Sequence, residues 1–241
     1  ESRGLGDVYK RQMIPRADPL AQYLISQAEA GPAGCAKSLS TLCQGLSGHT
    51  ISAFISTMQA HSPLSKVKVW RVATAFSGGD TFCSHLRTSG QPFELVAAAE
   101  NQEMHRKAHE ANHPGLKCFP RCVSELGTSV DIPPHHLLVA GFPCEDYSVL
   151  KREVTTKALQ ASLDRFDHLV RIISACRPTA VILENVASLM HAGLGWVRAH
   201  IEDSLKCLAI GRYVIFRDVV CCTSFRARFT RPRVYWVMFR V

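Results

Sequence analysis

The chain has 241 residues, 46% of them hydrophobic and 20% charged, globular proportions that suit one large α/β domain or one domain with an extension and exclude disorder for the whole. Lys and Arg number 28 against 20 for Asp and Glu, and the resulting +8 suits an acidic partner such as nucleic acid. No uninterrupted apolar run is long enough for a membrane span, no secretory signal opens the chain, and the ten scattered cysteines read as reduced thiols of an intracellular protein with no membrane partner.

Residues 1–12 carry no hydrophobic periodicity and precede Met13. Their GLGDVYKRQ string looks like translated adaptor sequence, so they are expected to be a non-native leader. Residues 13–65 read as helices broken by Gly31-Pro32 and by Gly45 to Gly48. From Lys66 the pattern changes to strand alternating with helix. VWRVATAF (69–76) is a short apolar run ending in Ser77-Gly78-Gly79, and FELVAAAE (93–100) is a second, followed by a helical stretch to Asn112. HLLVAGF (136–142) is a third run. Leu159, Leu163, Phe166, Val170 and Ile173 then recur at helical spacing. AVILEN (180–185) is the fourth strand, and Val197, Ile201, Leu205 and Leu208 mark another helix. YVIFRDVV (213–220) and VYWVMFRV (234–241) have no helix between them, which predicts an antiparallel pair. Apolar strands alternating with amphipathic helices predict a doubly wound α/β domain over residues 66–241. The expected sheet is mainly parallel and seven-stranded, with one antiparallel strand.

Ligands of such sheets bind at the carboxyl ends of the strands. Four of those ends carry unusual residues. Phe76-Ser77-Gly78-Gly79-Asp80 makes a glycine turn that lets a ligand approach the backbone. Glu100 ends the second strand 22 residues after Gly78, where a carboxylate can hold both ribose hydroxyls of a nucleoside cofactor. Gly141-Phe142-Pro143-Cys144 places a thiol just beyond the sheet; a buried structural cysteine is the plainer alternative. Glu184 closes an apolar strand in Leu183-Glu184-Asn185-Val186, where burial favours a neutral or partnered acid.

In order and spacing these segments resemble the C5-cytosine DNA methyltransferases. FSGGD resembles their cofactor loop and AAENQEMHRKAHEANHP the segment whose acid binds the ribose. GFPCEDYS resembles the proline-cysteine loop, LENV the glutamate-asparagine-valine motif, and Thr230-Arg231-Pro232-Arg233-Val234 the paired-arginine motif. The resemblance implies a Rossmann-like fold, S-adenosylmethionine as cofactor and DNA as partner, with RNA as an alternative substrate. It implies Cys144 as the nucleophile on cytosine C6, Glu184 as the acid at N3, and Arg231 and Arg233 on the base oxygen and a nearby phosphate. Pro143, Ser148 and Asn185 would line the substrate site. Phe76, Ser77, Gly78, Gly79 and Glu100 would hold the cofactor, with Cys122 at the position that usually offers an acid to its adenine. The two arginines are expected to favour the Cys144 thiolate. Arg226 and Arg228, in the same loop, read as phosphate contacts or plain surface.

The chain also departs from the pattern. Asp80 replaces a second glycine of the cofactor loop and is expected to add charge and bulk beside the cofactor. Phe229 stands where a glutamine usually precedes the arginines. The target-recognition domain expected after the last strand is missing, so the catalytic domain reads as truncated. Gly48-His49-Thr50 resembles the family's final motif moved to the N-terminus. Two other readings stay open, a transfer-RNA cytosine-C5 methyltransferase and a non-catalytic nucleic-acid binder, and His109-Glu110-Ala111-Asn112-His113 also matches a zinc peptidase pattern. Pro114 ends the helix at the second histidine, so that match is taken as coincidence, His105, His109 and His113 as a polar helix face, and no metal is expected. Location would be intracellular, in the nucleus of a eukaryote or the cytoplasm or nucleoid of a prokaryote. The oligomeric state is not legible.

Overall fold

The computed structural model describes residues 67–88, 90–116, 120–126, 131–147, 155–210, 212–221 and 230–240. The expectations for 1–12, for 13–65 with Gly48 to Thr50, and for Ser148, Arg226, Arg228 and Phe229 lie outside these residues. The described elements, in chain order, are β1 (Trp70–Ala75), α1 (Thr81–Thr88), β2 (Phe93–Ala99), α2 (Glu103–Asn112), β3 (Leu137–Gly141), α3 (Thr156–Cys176), β4 (Ala180–Val186), α4 (Gly195–Ala209), β5 (Tyr213–Cys221) and β6 (Pro232–Arg240).

The six strands form one sheet in the order β2-β1-β3-β4-β6-β5. Among the described residues the sheet therefore has six strands against the seven expected. β1, β2, β3 and β4 pair in parallel, and β6 is antiparallel to both β4 and β5. This is the single reversed strand that the missing helix before VYWVMFRV predicts.

Strand alternation builds two cores. Trp70 and Val72 of β1, Ala180 and Ile182 of β4, and Val237 and Phe239 of β6 face α1 through Cys83 and Leu86. Ala73 and Ala75, Val181 and Leu183, and Trp236 and Met238 point the other way. They pack under Leu163, Phe166 and Ile173 of α3 and Val197, Ile201 and Leu205 of α4. Both faces are covered, as a parallel sheet requires. Local signals set the helix ends. The Thr155 hydroxyl caps α3 by accepting from the Ala158 amide at 3.2 Å, and Arg177 ends it in the left-handed conformation (φ 48°) ahead of Pro178.

The chain winds outward from β1 in both directions, to β2 on one side and to β3 and β4 on the other. The strand order reverses between β1 and β3, so a crevice opens at their carboxyl ends. The turn after β1, Glu100 after β2, Cys144 after β3 and the end of β4 all gather along that edge.

Candidate active site

The turn after β1 holds three residues at positive φ: Phe76 (53°), Gly78 (54°) and Asp80 (64°). The left-handed region costs a non-glycine residue roughly 1–2 kcal/mol, so the turn needs outside support. Ser77 supplies some: its amide and its hydroxyl both donate to the Ala99 carbonyl, at 3.2 and 3.1 Å. Glu100 supplies more. One carboxylate oxygen accepts from the Gly78 amide at 2.7 Å and the other from the Gln102 amide at 2.8 Å, just ahead of α2. A single buried acid thus ties the ends of β1 and β2 to the start of α2, where the helix dipole favours its charge.

The residues fit S-adenosylmethionine. A Cβ built on Gly78 or Gly79 would meet nothing within 4 Å, so open space lies over the turn. Each Glu100 oxygen has spent one lone pair on a backbone amide, and a carboxylate offers about four acceptor positions, which leaves capacity for ribose hydroxyls. Cys122 is exposed, and its sulfur lies 2.9 Å from the Ser124 hydroxyl. It stands in the loop beside β2, where the Glu100 amide donates to the Pro120 carbonyl at 3.4 Å.

Asp80 corrects the sequence reading. Its side chain is 1% exposed and turns away from the space over the glycines, toward the seam between α1 and α2. Both terminal nitrogens of Arg87 approach one carboxylate oxygen at 3.4 Å, Asn112 donates to it at 3.3 Å, and the His113 ring nitrogen lies 3.1 Å from it. The charge and bulk expected beside the cofactor are thus taken up below the turn. The histidines are corrected with it. His109 and His113 are not a polar helix face: His109 is fully buried and His113 is 12% exposed, while His105 is 29% exposed and Glu110 points outward. A metallopeptidase needs that glutamate at the histidines, so its geometry is absent.

The second half of the site joins β3 to β4. Gly141 pairs in register with Glu184. A Cβ on Gly141 would come within 3.1 Å of Glu184 Oε2, so glycine permits the close approach. Phe142 then anchors the following turn in the core, with ring centroids 5.1 Å from Phe166 and 6.1 Å from Trp236. Asn185 is fully buried. It donates to the Phe142 carbonyl at 3.1 Å and accepts from the Val186 amide at 2.8 Å. Pro143 and Cys144 follow, half-buried, and a 3₁₀ turn over Glu145–Tyr147 closes when the Tyr147 amide donates to the Cys144 carbonyl at 3.0 Å. The Ser188 hydroxyl donates to the Tyr147 carbonyl at 2.5 Å, fastening the turn from its far side. The pattern-based reading missed Ser188, since a lone serine after a strand carries no signal in the sequence.

Glu184 meets Arg233, whose Nε lies 2.8 Å from Glu184 Oε1. Arg231 is exposed just before β6, and its charge also acts on Glu184. Burial pushes the Glu184 carboxyl above the usual range while Arg233 and Arg231 pull against it. The Cys144 thiol is pushed up too, first by burial and then by the Glu184 charge; Arg233 acts in the opposite direction but is outweighed. The arginines therefore do not by themselves ionise the thiol. Cys144, Pro143, Glu184, Asn185 and Arg233 form one cluster, and the turn from Phe76 to Gly79 with Glu100 stands beside it on the same sheet edge.

A family model described as C-5 cytosine-specific DNA methylase matches residues 71–241. The Type II methyltransferase M.NgoBI of Neisseria gonorrhoeae is 30% identical over 144 residues, 60% of this chain and 43% of that protein. M.SsoII of Shigella sonnei is 28% identical over 171 residues, 70% of this chain and 42% of that one. The chain thus spans less than half the length of these relatives. A candidate DNA modification methyltransferase from an Escherichia coli prophage has the same fold, with a TM-score of 0.54 at 20% identity over 71% of this chain and 47% of that one. Among the described residues no helix is long and apolar enough to cross a membrane. The sheet order, the residues at its carboxyl edge and the family match agree: the chain belongs to the C-5 cytosine-specific DNA methylases.

Proposed function

We propose that the chain methylates C5 of cytosine in DNA, with Cys144 as nucleophile and Glu184 as acid, and that residues 66–241 are its catalytic domain. The observation that carries this reading is the Cys144–Glu184–Arg233 cluster at the ends of β3, β4 and β6, beside an open glycine turn. The reacting carbon lies inside a duplex, so the cytosine must be flipped out of the stack. Cytosine C5 is a poor nucleophile. Addition of the Cys144 sulfur to C6 makes it enamine-like, while a proton held by Glu184 at N3 keeps negative charge off the ring. Burial raises the Cys144 thiol, so its proton passes to solvent as the sulfur adds to C6. Once C5 has taken the methyl group, loss of the C5 proton to solvent breaks the sulfur–C6 bond and restores the thiolate.

The Phe76–Gly79 turn and Glu100 would hold S-adenosylmethionine, which would supply a sulfonium-bound methyl group for C5. Arg233 and Arg231 supply positive charge to the base oxygen and to phosphate. The +8 charge supports salt-sensitive DNA binding. A DNA substrate also supports an intracellular location.

The test is transfer of labelled methyl from S-adenosylmethionine to duplex DNA and, separately, to RNA. Label in DNA cytosine, lost in Cys144→Ser, is the expected result. Label in RNA alone would move the substrate to RNA, and DNA binding without label in either would leave a non-catalytic binder.

A further inference from the structure

We propose that Asp80, Cys83, His109 and His113 form a site for one divalent transition-metal ion of the zinc class, which staples the cofactor turn to α1 and α2. In the sequence the four residues read Asp-x2-Cys followed by His-x3-His, a zinc-ligand spacing with the first cysteine replaced by aspartate. The fold brings them together: Asp80 and Cys83 enter α1 one turn apart, and His109 and His113 leave α2 one turn apart. Ligand atoms of Asp80, Cys83 and His113 all lie within 4.8 Å of one another. His113 Nε2 is 3.2 and 3.1 Å from the two Asp80 oxygens, and His109 Nδ1 is 3.7 Å from the nearer one. The two imidazole rings stack with centroids 6.0 Å apart. Tetrahedral ligands about 2.0–2.3 Å from zinc stand about 3.3–3.8 Å from each other, so Asp80, Cys83 and His113 need only a modest contraction, while His109, beside Asp80 but outside that trio, must swing in to complete the four.

Charge and burial favour the ion. Asp80 and Cys83 are each 1% exposed and His109 is fully buried. A thiolate, a carboxylate and two neutral imidazoles balance a divalent cation, and a neutral complex suits a buried site. The Cys83 thiol proton passes to solvent on coordination, since a metal-bound thiol is deprotonated. Arg87 holds the cation position in this structure, with Nη2 2.9 Å from His113 Nε2 and 3.4 Å from Asp80 Oδ2. It reaches in from the surface, its side chain is 42% exposed, and its guanidinium lies 5.8 Å from the centroid of the Phe93 ring. Retraction of Arg87 toward solvent over that ring exchanges one cation for another. Four protein ligands with Glu110 turned outward make a closed, structural site rather than a hydrolytic one. The turn at Asp80 φ 64° would then be braced by a metal bond at the position where the family keeps a glycine.

The test strips the full chain with a chelator and titrates it with cobalt(II) and then zinc. The expected result is one equivalent bound, intense visible bands of tetrahedral cobalt, and a near-ultraviolet thiolate-to-cobalt band that Cys83→Ser abolishes. Asp80→Asn and His113→Gln should weaken binding by about ten-fold or more. Arg87→Gln, which removes the competing cation, should tighten it. Circular dichroism shows whether each variant is folded, and zinc should raise the melting temperature of the wild type but not of Cys83→Ser. Folded wild type and Arg87→Gln that both lack the cobalt bands would overturn the proposal. So would a thiolate band that survives Cys83→Ser, since the ion would then sit on other cysteines.

Discussion

Arg233 reaches Glu184 diagonally across two antiparallel strands: its Nε lies 2.8 Å from Glu184 Oε1, although Glu184 is paired with Tyr235 and Arg233 with Val186. Both side chains leave the same face of the sheet, two residues apart in register, which is the reach of a long side chain. Burial raises the proton affinity of Glu184, and Arg233 is the strongest charge opposing that rise. Arg233→Ala should therefore move the Glu184 titration to higher pH and lower the methylation rate by about 10²-fold, as for loss of a positioned acid's partner. A single-turnover pH–rate profile checks both. A profile unchanged in shape and position would separate Arg233 from the acid.

The same raised carboxyl has a consequence for stability. A folded state that holds Glu184 above its ordinary range prefers the protonated form. That preference is fully present below the ordinary carboxyl range, and it is lost as pH rises through the raised folded value. Glu184→Gln removes this dependence. The melting temperature of the variant relative to wild type should thus rise as pH climbs from about 4 toward neutrality. Melting curves at a series of pH values read the difference directly, and a variant-minus-wild-type difference that falls over that range would contradict the assignment.

Asn185 braces the loop that carries Cys144. Its fully buried amide holds the Phe142 carbonyl and the Val186 amide, so Asn185→Ala leaves two buried polar groups without their partner. A loss of about 1–3 kcal/mol in folding stability is expected for an unsatisfied buried group. The Pro143–Cys144 turn should loosen with it. Chemical denaturation gives the first effect, and kcat falling while the affinity for DNA holds gives the second.

Much of this site is legible in the sequence, for a physical reason. Parallel strands buried on both faces must be continuously apolar, so HLLVAGF and AVILEN stand out, and the polar residues that end them are conspicuous. Cys144 and Glu184 are read this way, and the structure brings them together. Asp80 is different. Its type and position suggest a charge beside the cofactor, but its positive φ turns the side chain under the turn, toward histidines 29 and 33 residues farther along the chain. His109 and His113 look like a polar face because four-residue spacing shows only that they share a side of α2. What that side packs against is a tertiary fact. The same holds for Ser188, whose bond to the Tyr147 carbonyl joins segments 41 residues apart.

Glu100 carries two loads, and they can be separated. It braces the Gly78 and Gln102 amides, and it is the group proposed to hold the cofactor ribose. Glu100→Ala should weaken S-adenosylmethionine binding by about ten-fold or more, in line with loss of charge-assisted hydrogen bonds worth about 1.5–3 kcal/mol. Isothermal calorimetry measures this. A compound with the ribose hydroxyls removed should bind wild type and variant alike. Equal affinity of the two proteins for intact cofactor would remove the ribose role and leave only the brace.

The most direct measurement concerns the bond from Cys144 to cytosine C6. Fluorine at C5 cannot leave as a proton does, so DNA containing 5-fluorocytosine should trap the enzyme after methyl transfer. With S-adenosylmethionine present, mass spectrometry of the digested complex should find the adduct on the peptide carrying Cys144, and Cys144→Ser should abolish it. An adduct that persists in Cys144→Ser, or that maps to another of the ten cysteines, would contradict the nucleophile and with it the proposed chemistry.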